Sequence, residues 1–148
     1  MKRKSRKKTR GEVARLRNWT HTQAEAARPY LASILQSMRE TFLEAIRCYN
    51  QVQKLSNRPG HADRATLIAL EEAQHAFAAA RDRFEDTEVE LNQLDVYSLD
   101  PVQGLGMIPF IHDKQLAWFV FDLFDPQPLR FWRFHEDPLD QRRPVQSI

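Results

Sequence analysis

Leu31, Leu35, Met38, Phe42, Ala45, Tyr49 and Val52 follow one another at spacings of 4, 3, 4, 3, 4 and 3. That alternation is an a/d seam held over three heptads, and it predicts one long amphipathic helix with a coiled-coil-like stripe. Ile34 and Ile46 widen the stripe. A second seam, Leu70, Ala73, Phe77, Ala80, Phe84, Thr87, Leu91 and Leu94, again alternates 3 and 4. Between them SNRPGHAD (56–63) supplies Asn, Pro and Gly to stop one helix and Asp63 to cap the next. Two helices of near-equal length with a short connection form an antiparallel hairpin, and alanines in the second seam let it approach the larger Met38, Phe42 and Tyr49 of the first. The first helix is expected from about 22 to 55, roughly 50 Å long. Thr22 and Glu25 read as its capping box, and Pro29, at the seventh helical position, should bend its first turns.

After about Asp95 the period changes. VYSLDPVQGLG reads as loop or turn, MIPFI as a short apolar run and HDKQ as a polar turn. LAWFVFDLF is the strongest strand, DPQP a turn, and LRFWRFH a second strand in which Leu129, Phe131 and Arg133 alternate with Arg130, Trp132 and Phe134. Residues 116–135 hold seven of the fifteen aromatics, which a membrane or nucleic-acid surface could use as well as a core. Asp122, Asp125 and two prolines interrupt the run, and LAWFVFDLF has no basic residue to meet a phosphate backbone, so a core is favoured. A hairpin cannot cover its own apolar faces, and one face of a small antiparallel sheet is its natural partner. The other face of LAWFVFDLF would then need a second subunit, predicting a homodimer through the sheet or the helices.

Charge divides the chain unevenly. Residues 1–17 carry nine Lys/Arg and one Glu, a net of +8, whereas the remaining 131 residues carry thirteen against nineteen, a net of −6. With almost no apolar residue before Val13, the basic stretch is expected to be a disordered tail. Lys2, Arg3, Lys4, Arg6, Lys7, Lys8 and Arg10 are its candidate nucleic-acid contacts, through salt-dependent, sequence-blind phosphate neutralisation. A solubilising extension and a polybasic lipid anchor are the other readings, the latter lacking an apolar companion signal. The basic start is followed by no apolar h-region, no run of about 18 apolar residues exists, and a single cysteine, Cys48, excludes an internal disulfide and zinc ribbons. A cytoplasmic location without a membrane span is the expectation.

WTHTQAEAARPYL (19–31), Gly104, Pro109, Phe110, Trp118, Trp132, Arg142 and Pro144 together resemble the bacterial domain-of-unknown-function family numbered 2203. WTHTQAEAARPYL (19–31) is similar to its opening FTLEEANxLLPxL, with Thr22, Glu25, Ala26 and Pro29 in step. Gly104, Pro109 and Phe110 resemble its glycine and aromatic–proline pair in reversed order. Trp118 falls on its CW strand with Ala117 at the cysteine position. Trp132 matches the tryptophan of WH, with Arg133 in place of the histidine. Arg142 and Pro144 match the closing Arg and Pro, Gln141 replacing a glycine. The resemblance covers residues 19–146 and implies a bacterial intracellular protein built as a helical hairpin with a β-meander. It implies no activity, and any ligand held by the family's cysteine and histidine would be lost here. Trp118, Trp132 and Arg142 are carried over as positions of unknown role.

No catalytic motif stands out. His21, His61, His75, His112 and His135 form no i, i+3 or i+4 pair. HDK (112–114) and HED (135–137) each set a histidine beside carboxylates near a strand end, so a metal or acid–base site could assemble if they converge. Cys48, in mid-helix beside Tyr49, lacks the cationic setting of a reactive thiol. In FHEDPLDQRRPVQ, which contains Arg142 and Arg143, an arginine is expected to clamp Asp137 or Asp140 and pin the tail to the sheet, the alternative being an anion or partner contact by Arg142.

The reading is an α+β protein: residues 1–18 a basic disordered tail and 19–148 a single domain, with a helical hairpin over 22–95 and an antiparallel meander of two to four strands over 96–148. Its expected function is that of a non-enzymatic interaction or scaffold protein, self-associating, with no cofactor and weak nucleic-acid affinity through the tail. The alternative is a small enzyme or metal-dependent protein with a site around His112 and His135.

Overall fold

A computed structural model describes residues 16–148. Lys2, Arg3, Lys4, Arg6, Lys7, Lys8 and Arg10 lie outside the described residues. Arg17 and Asn18, assigned above to the tail, are already tied to the domain. The Arg17 amide donates to Asp95 Oδ2 at 2.8 Å, and Asn18 Oδ1 accepts from the Ile111 amide at 3.0 Å. Trp19 follows, buried, with its amide on the Pro109 carbonyl and its indole N–H on the Leu94 carbonyl.

The helical part departs from expectation at its start. The capping box is formed by Thr20 and Gln23, two residues before the predicted pair: Thr20 Oγ accepts from the Gln23 amide, and Gln23 Oε1 accepts from the Thr20 amide. This opens a separate short helix, α1 (His21–Ala26). Ala27 links it to α2 (Arg28–Ser56), in which Pro29 lies within the first two positions. There the missing proline N–H is one that no helix start can pair internally, so Pro29 begins a helix instead of bending one. Asn57 ends α2, and Asp63 caps α3 (Arg64–Asn92) by accepting from the Thr66 amide at 2.8 Å. The two long helices pack antiparallel along the predicted seams, with Phe42 against Phe84 at 5.4 Å and Tyr49 against Phe77 at 5.7 Å between ring centroids.

Five antiparallel strands in sequential order complete the fold: β1 (Tyr97–Asp100), β2 (Leu105–His112), β3 (Gln115–Asp122), β4 (Phe131–Phe134) and β5 (Arg143–Pro144). The fifth, beyond the two to four expected, comes from the closing segment, whose Arg143 pairs with Trp132. The β2–β3 turn uses Asp113 and Lys114, with φ of 49° and 62°, the left-handed pair that a two-residue type I′ hairpin demands. LAWFVFDLF leaves the ladder at Asp122, whose carboxylate accepts from the Phe124 amide while Leu123 turns to the Gly104 carbonyl.

Alternation along these strands gives each face its partners. Ile108, Phe110, Ala117, Phe119, Phe121 and Trp132 face the helices and share a core with Leu31, Leu35, Met38 and Leu91. Phe110 and Phe119 stack at 4.0 Å with planes 10° apart, and Trp132 meets Phe110 edge-on. The opposite face carries Met107, Pro109, Trp118, Val120 and Arg133. From Met107 to Arg133 it is closed by the chain's own residues, with Ile111 at the hairpin end half exposed, contrary to the expectation that the face needs a second subunit. Trp118 is 5% exposed, with Tyr97 edge-on at 5.9 Å, and Arg133 is 3% exposed.

Two substitutions test this account. Thr20→Ala should cost about 1 kcal/mol in urea unfolding, while Thr22→Ala stays within about 0.5 kcal/mol, because the first alone removes a cap. Gly104→Ala should cost about 2 kcal/mol, since Gly104 has φ +66° and a Cβ there would lie 2.7 Å from Leu123 Cβ.

Candidate functional site

The histidines proposed as a common site are not brought together. His112 ends β2 on the helix-facing side, edge-on to Trp132 at 4.9 Å and beside Phe134 at 5.8 Å. His135 follows β4 on the other face, where the Trp118 indole N–H donates to its Nδ1 at 3.0 Å. The sheet itself separates them. Among the described residues no group of three or more His, Cys, Asp or Glu could hold a metal ion. His21 packs edge-on to Phe119, His61 lies at the hairpin tip, and His75 is exposed on α3.

Cys48 is buried on α2 against Glu44, with Sγ 3.6 Å from Oε1. Burial, followed by the Glu44 carboxylate, pushes its thiol pKa up, which disfavours the nucleophilic thiolate.

The predicted arginine clamp exists, and Arg143 makes it, onto Asp137. Arg143 Nε and Nη2 meet the two Asp137 oxygens at 2.9 and 3.0 Å, and its guanidinium lies 4.9 Å from the Phe134 ring centroid. Asp137 also accepts from the Phe134 amide at 2.9 Å. Strand pairing selects Arg143, which stands opposite Trp132 in the ladder. Arg133 donates through Nη2 to the Asp137 carbonyl, and its Nε has no partner among the described residues. The two arginines thus hold the 135–142 loop from opposite faces of the sheet. Of the carried-over positions, Trp118 and Trp132 are both buried structural residues. Trp118 binds His135, and Trp132 donates its indole N–H to the Pro144 carbonyl at 3.2 Å.

Exposed apolar side chains are divided between the sheet end, where Val102, Ile111, Phe124, Leu139 and Ile148 lie on separate turns and edges, and the helical hairpin. The sheet covers only the part of α2 around Leu31–Met38 and the facing end of α3 near Leu91. From Phe42 to Ser56 the pair extends beyond this core as an arm of about 21 Å. Along that arm Ile46 is 41%, Tyr49 50% and Leu67 54% exposed. A shallow cavity of about 310 Å³ lies at its tip, lined by Leu55, Arg58, His61, Asp63, Thr66 and Leu70 among others. Sequence reading placed Ile46 and Tyr49 in the seam but missed Leu67, one turn before the second seam begins. Only the length of the sheet relative to the helices reveals which part of the stripe stays bare. No described helix is long and apolar enough to cross a membrane.

No protein-family model matches the chain, and neither the curated proteins nor the solved structures searched contain a match.

The clamp predicts an acid response. Arg143 first, then the Phe134 amide, lowers the Asp137 pKa from 3.8 to about 2, so its contribution is complete above the usual carboxylate value and disappears as pH falls through about 2. Exchange protection of the Phe134 and Val145 amides should therefore weaken between pH 3.8 and about 2. In Asp137→Asn it should already be weak at neutral pH.

Proposed function

We propose that this chain is a non-enzymatic interaction or scaffold protein that self-associates, and that it works in the bacterial cytoplasm, the setting that the resemblance to family 2203 implies. The sheet end is the folding unit, and the helical arm is the working surface. The single observation supporting this reading is the bare apolar stripe of Ile46, Tyr49 and Leu67 on an arm that the protein's own sheet does not reach. Exposed apolar side chains on one stretch of a rigid element are the usual mark of a partner surface. The basic residues Lys2 to Arg10 add a weak, sequence-blind affinity for nucleic acid, supported by a net of +8 over residues 1–17.

Two measurements test the two parts. The double variant Ile46→Glu/Leu67→Glu should lose associations that the unaltered protein makes, with its own copies or with other proteins of its cell. If every association persists, the arm is not the working surface. RNA binding by the full chain should fall roughly 10³-fold between about 50 and 200 mM salt, the slope expected for about seven phosphate contacts. A chain beginning at Asn18 should bind far more weakly. Equal affinity of the two chains rules out the tail as a nucleic-acid contact.

A further inference from the structure

The two flanks of the arm are chemically different, and the difference points to its occupant. One flank is finished. Tyr30 donates to Glu90 at 2.6 Å, and Cys48 is buried against Glu44, close enough to Arg83 for that cation to act on its thiol. On the other flank Ile46 stands about 160° round α2 from Cys48, and Leu67 about 160° round α3 from Arg83. The sheet sits on this second flank. Arg39, seven residues before Ile46, donates to the Val102 carbonyl at 2.9 Å, and Leu35 packs on Gly106. The bare stripe is therefore the continuation of the surface that the sheet covers, and it begins where the sheet stops.

We infer that the occupant of this stripe is the arm of a second copy of the chain, laid antiparallel to form a four-helix bundle. This rests on the self-association reading above and specifies its surface and geometry. Three features select a second copy. First, the shape is self-complementary: a sheet at one end and a bare arm at the other make an L. A two-fold axis crossing the arm at mid-length lays bare arm on bare arm and carries the partner's sheet past the tip. A parallel arrangement would force the two sheets into the same space.

Second, the middle of the stripe is mostly apolar or neutral. Besides Ile46, Tyr49, Leu70 and Phe77 it presents Gln53 and Gln74, and the Arg81 guanidinium beside them is folded over the Phe77 ring, 5.8 Å from its centroid, so most residues near a two-fold axis can meet their own mates without like-charge repulsion. Third, the area is sufficient. Two helix widths of about 10 Å over about 21 Å give a footprint of about 400 Å², and side-chain relief roughly doubles it, reaching the ~800 Å² per partner of a specific interface. Tyr49 near the centre, paired with Phe77, supplies the aromatic anchor that such interfaces favour.

Sedimentation equilibrium of the full chain tests the inference. The unaltered protein should run at twice its 17.4 kDa mass. Ile46→Glu/Leu67→Glu should weaken the dimer at least about 100-fold, as loss of central contacts does, with its helical circular dichroism retained. Ile68→Glu, equally exposed but turned away from the stripe, should leave the dimer intact. A Cys48→Ala/Gln74→Cys chain, needing no charge in the interface, should be joined to its copy by a short bifunctional maleimide, because Gln74 lies near the two-fold axis. A dimer that survives Ile46→Glu/Leu67→Glu, or a dimer whose Gln74→Cys positions do not join, overturns the arm interface while leaving self-association standing. A protein monomeric at every concentration overturns both.

Discussion

The seating of the aromatic sheet face on the base of the helical hairpin is the contact on which the remaining structure depends. Phe110 and Phe119 lie flat on one another, and Trp132 closes against Phe110. Leu31, Leu35 and Met38 present the complementary surface, with Gly106 leaving space for Leu35. Neither partner could hold its apolar face in water alone. A two-helix hairpin covers one stripe of each helix only, and a short meander has one face to bury in any event. The N-terminal entry follows from the same contact. Trp19 is pinned between the Pro109 carbonyl of the sheet and the Leu94 carbonyl beyond α3, which aims α1 and α2 across the sheet.

Much of this was legible in the residues, and the portion that was not has physical causes. The seams predicted both helices because a 3.6-residue period is a property of the helix alone, independent of what it packs against. Asp63 was readable as a cap for the same reason. The capping box was misplaced from Thr20 to Thr22 because both threonines stand three residues before a Gln or Glu. Only the docking of Trp19 decides which leaves the helix. Pro29 was read against a continuous helix, yet at a helix start its ring costs nothing. The clamp onto Asp137 was legible from the local opposite charges, but which of the two arginines makes it was not, because adjacent arginines differ only in which side of a ladder they face. That register is set by Trp132, eleven residues away.

The histidines illustrate the limit from the other side. HDK and HED are similar in sequence and both lie near strand ends, so linear reading made them candidates for one site. Parity along the strands separates them. His112 has the same parity as Phe110 and faces the helices, while His135 has the same parity as Arg133 and faces the opposite side. A one-residue change of register would have reversed either, and no local signal records that choice.

The aromatic density of 116–135 is accounted for without a membrane or a stacked base. On one face Phe119, Phe121 and Trp132 are the floor of the core. On the other, Trp118 is spent on Tyr97 and His135, and Arg133 reaches over to the Asp137 carbonyl. Most of the rings therefore settle the fold, and Phe124, 60% exposed beside Arg39, is the ring of this stretch left largely in solvent. The exposed apolar stripe lies instead on the quieter part of the sequence, where Ile46, Tyr49 and Leu67 are spaced like any core seam. A period of 3.6 says which side of a helix is apolar, but the length of the neighbouring sheet decides how much of that side stays bare. In this chain α2 outruns the sheet by about four turns. That mismatch turns an ordinary core stripe into a candidate interface.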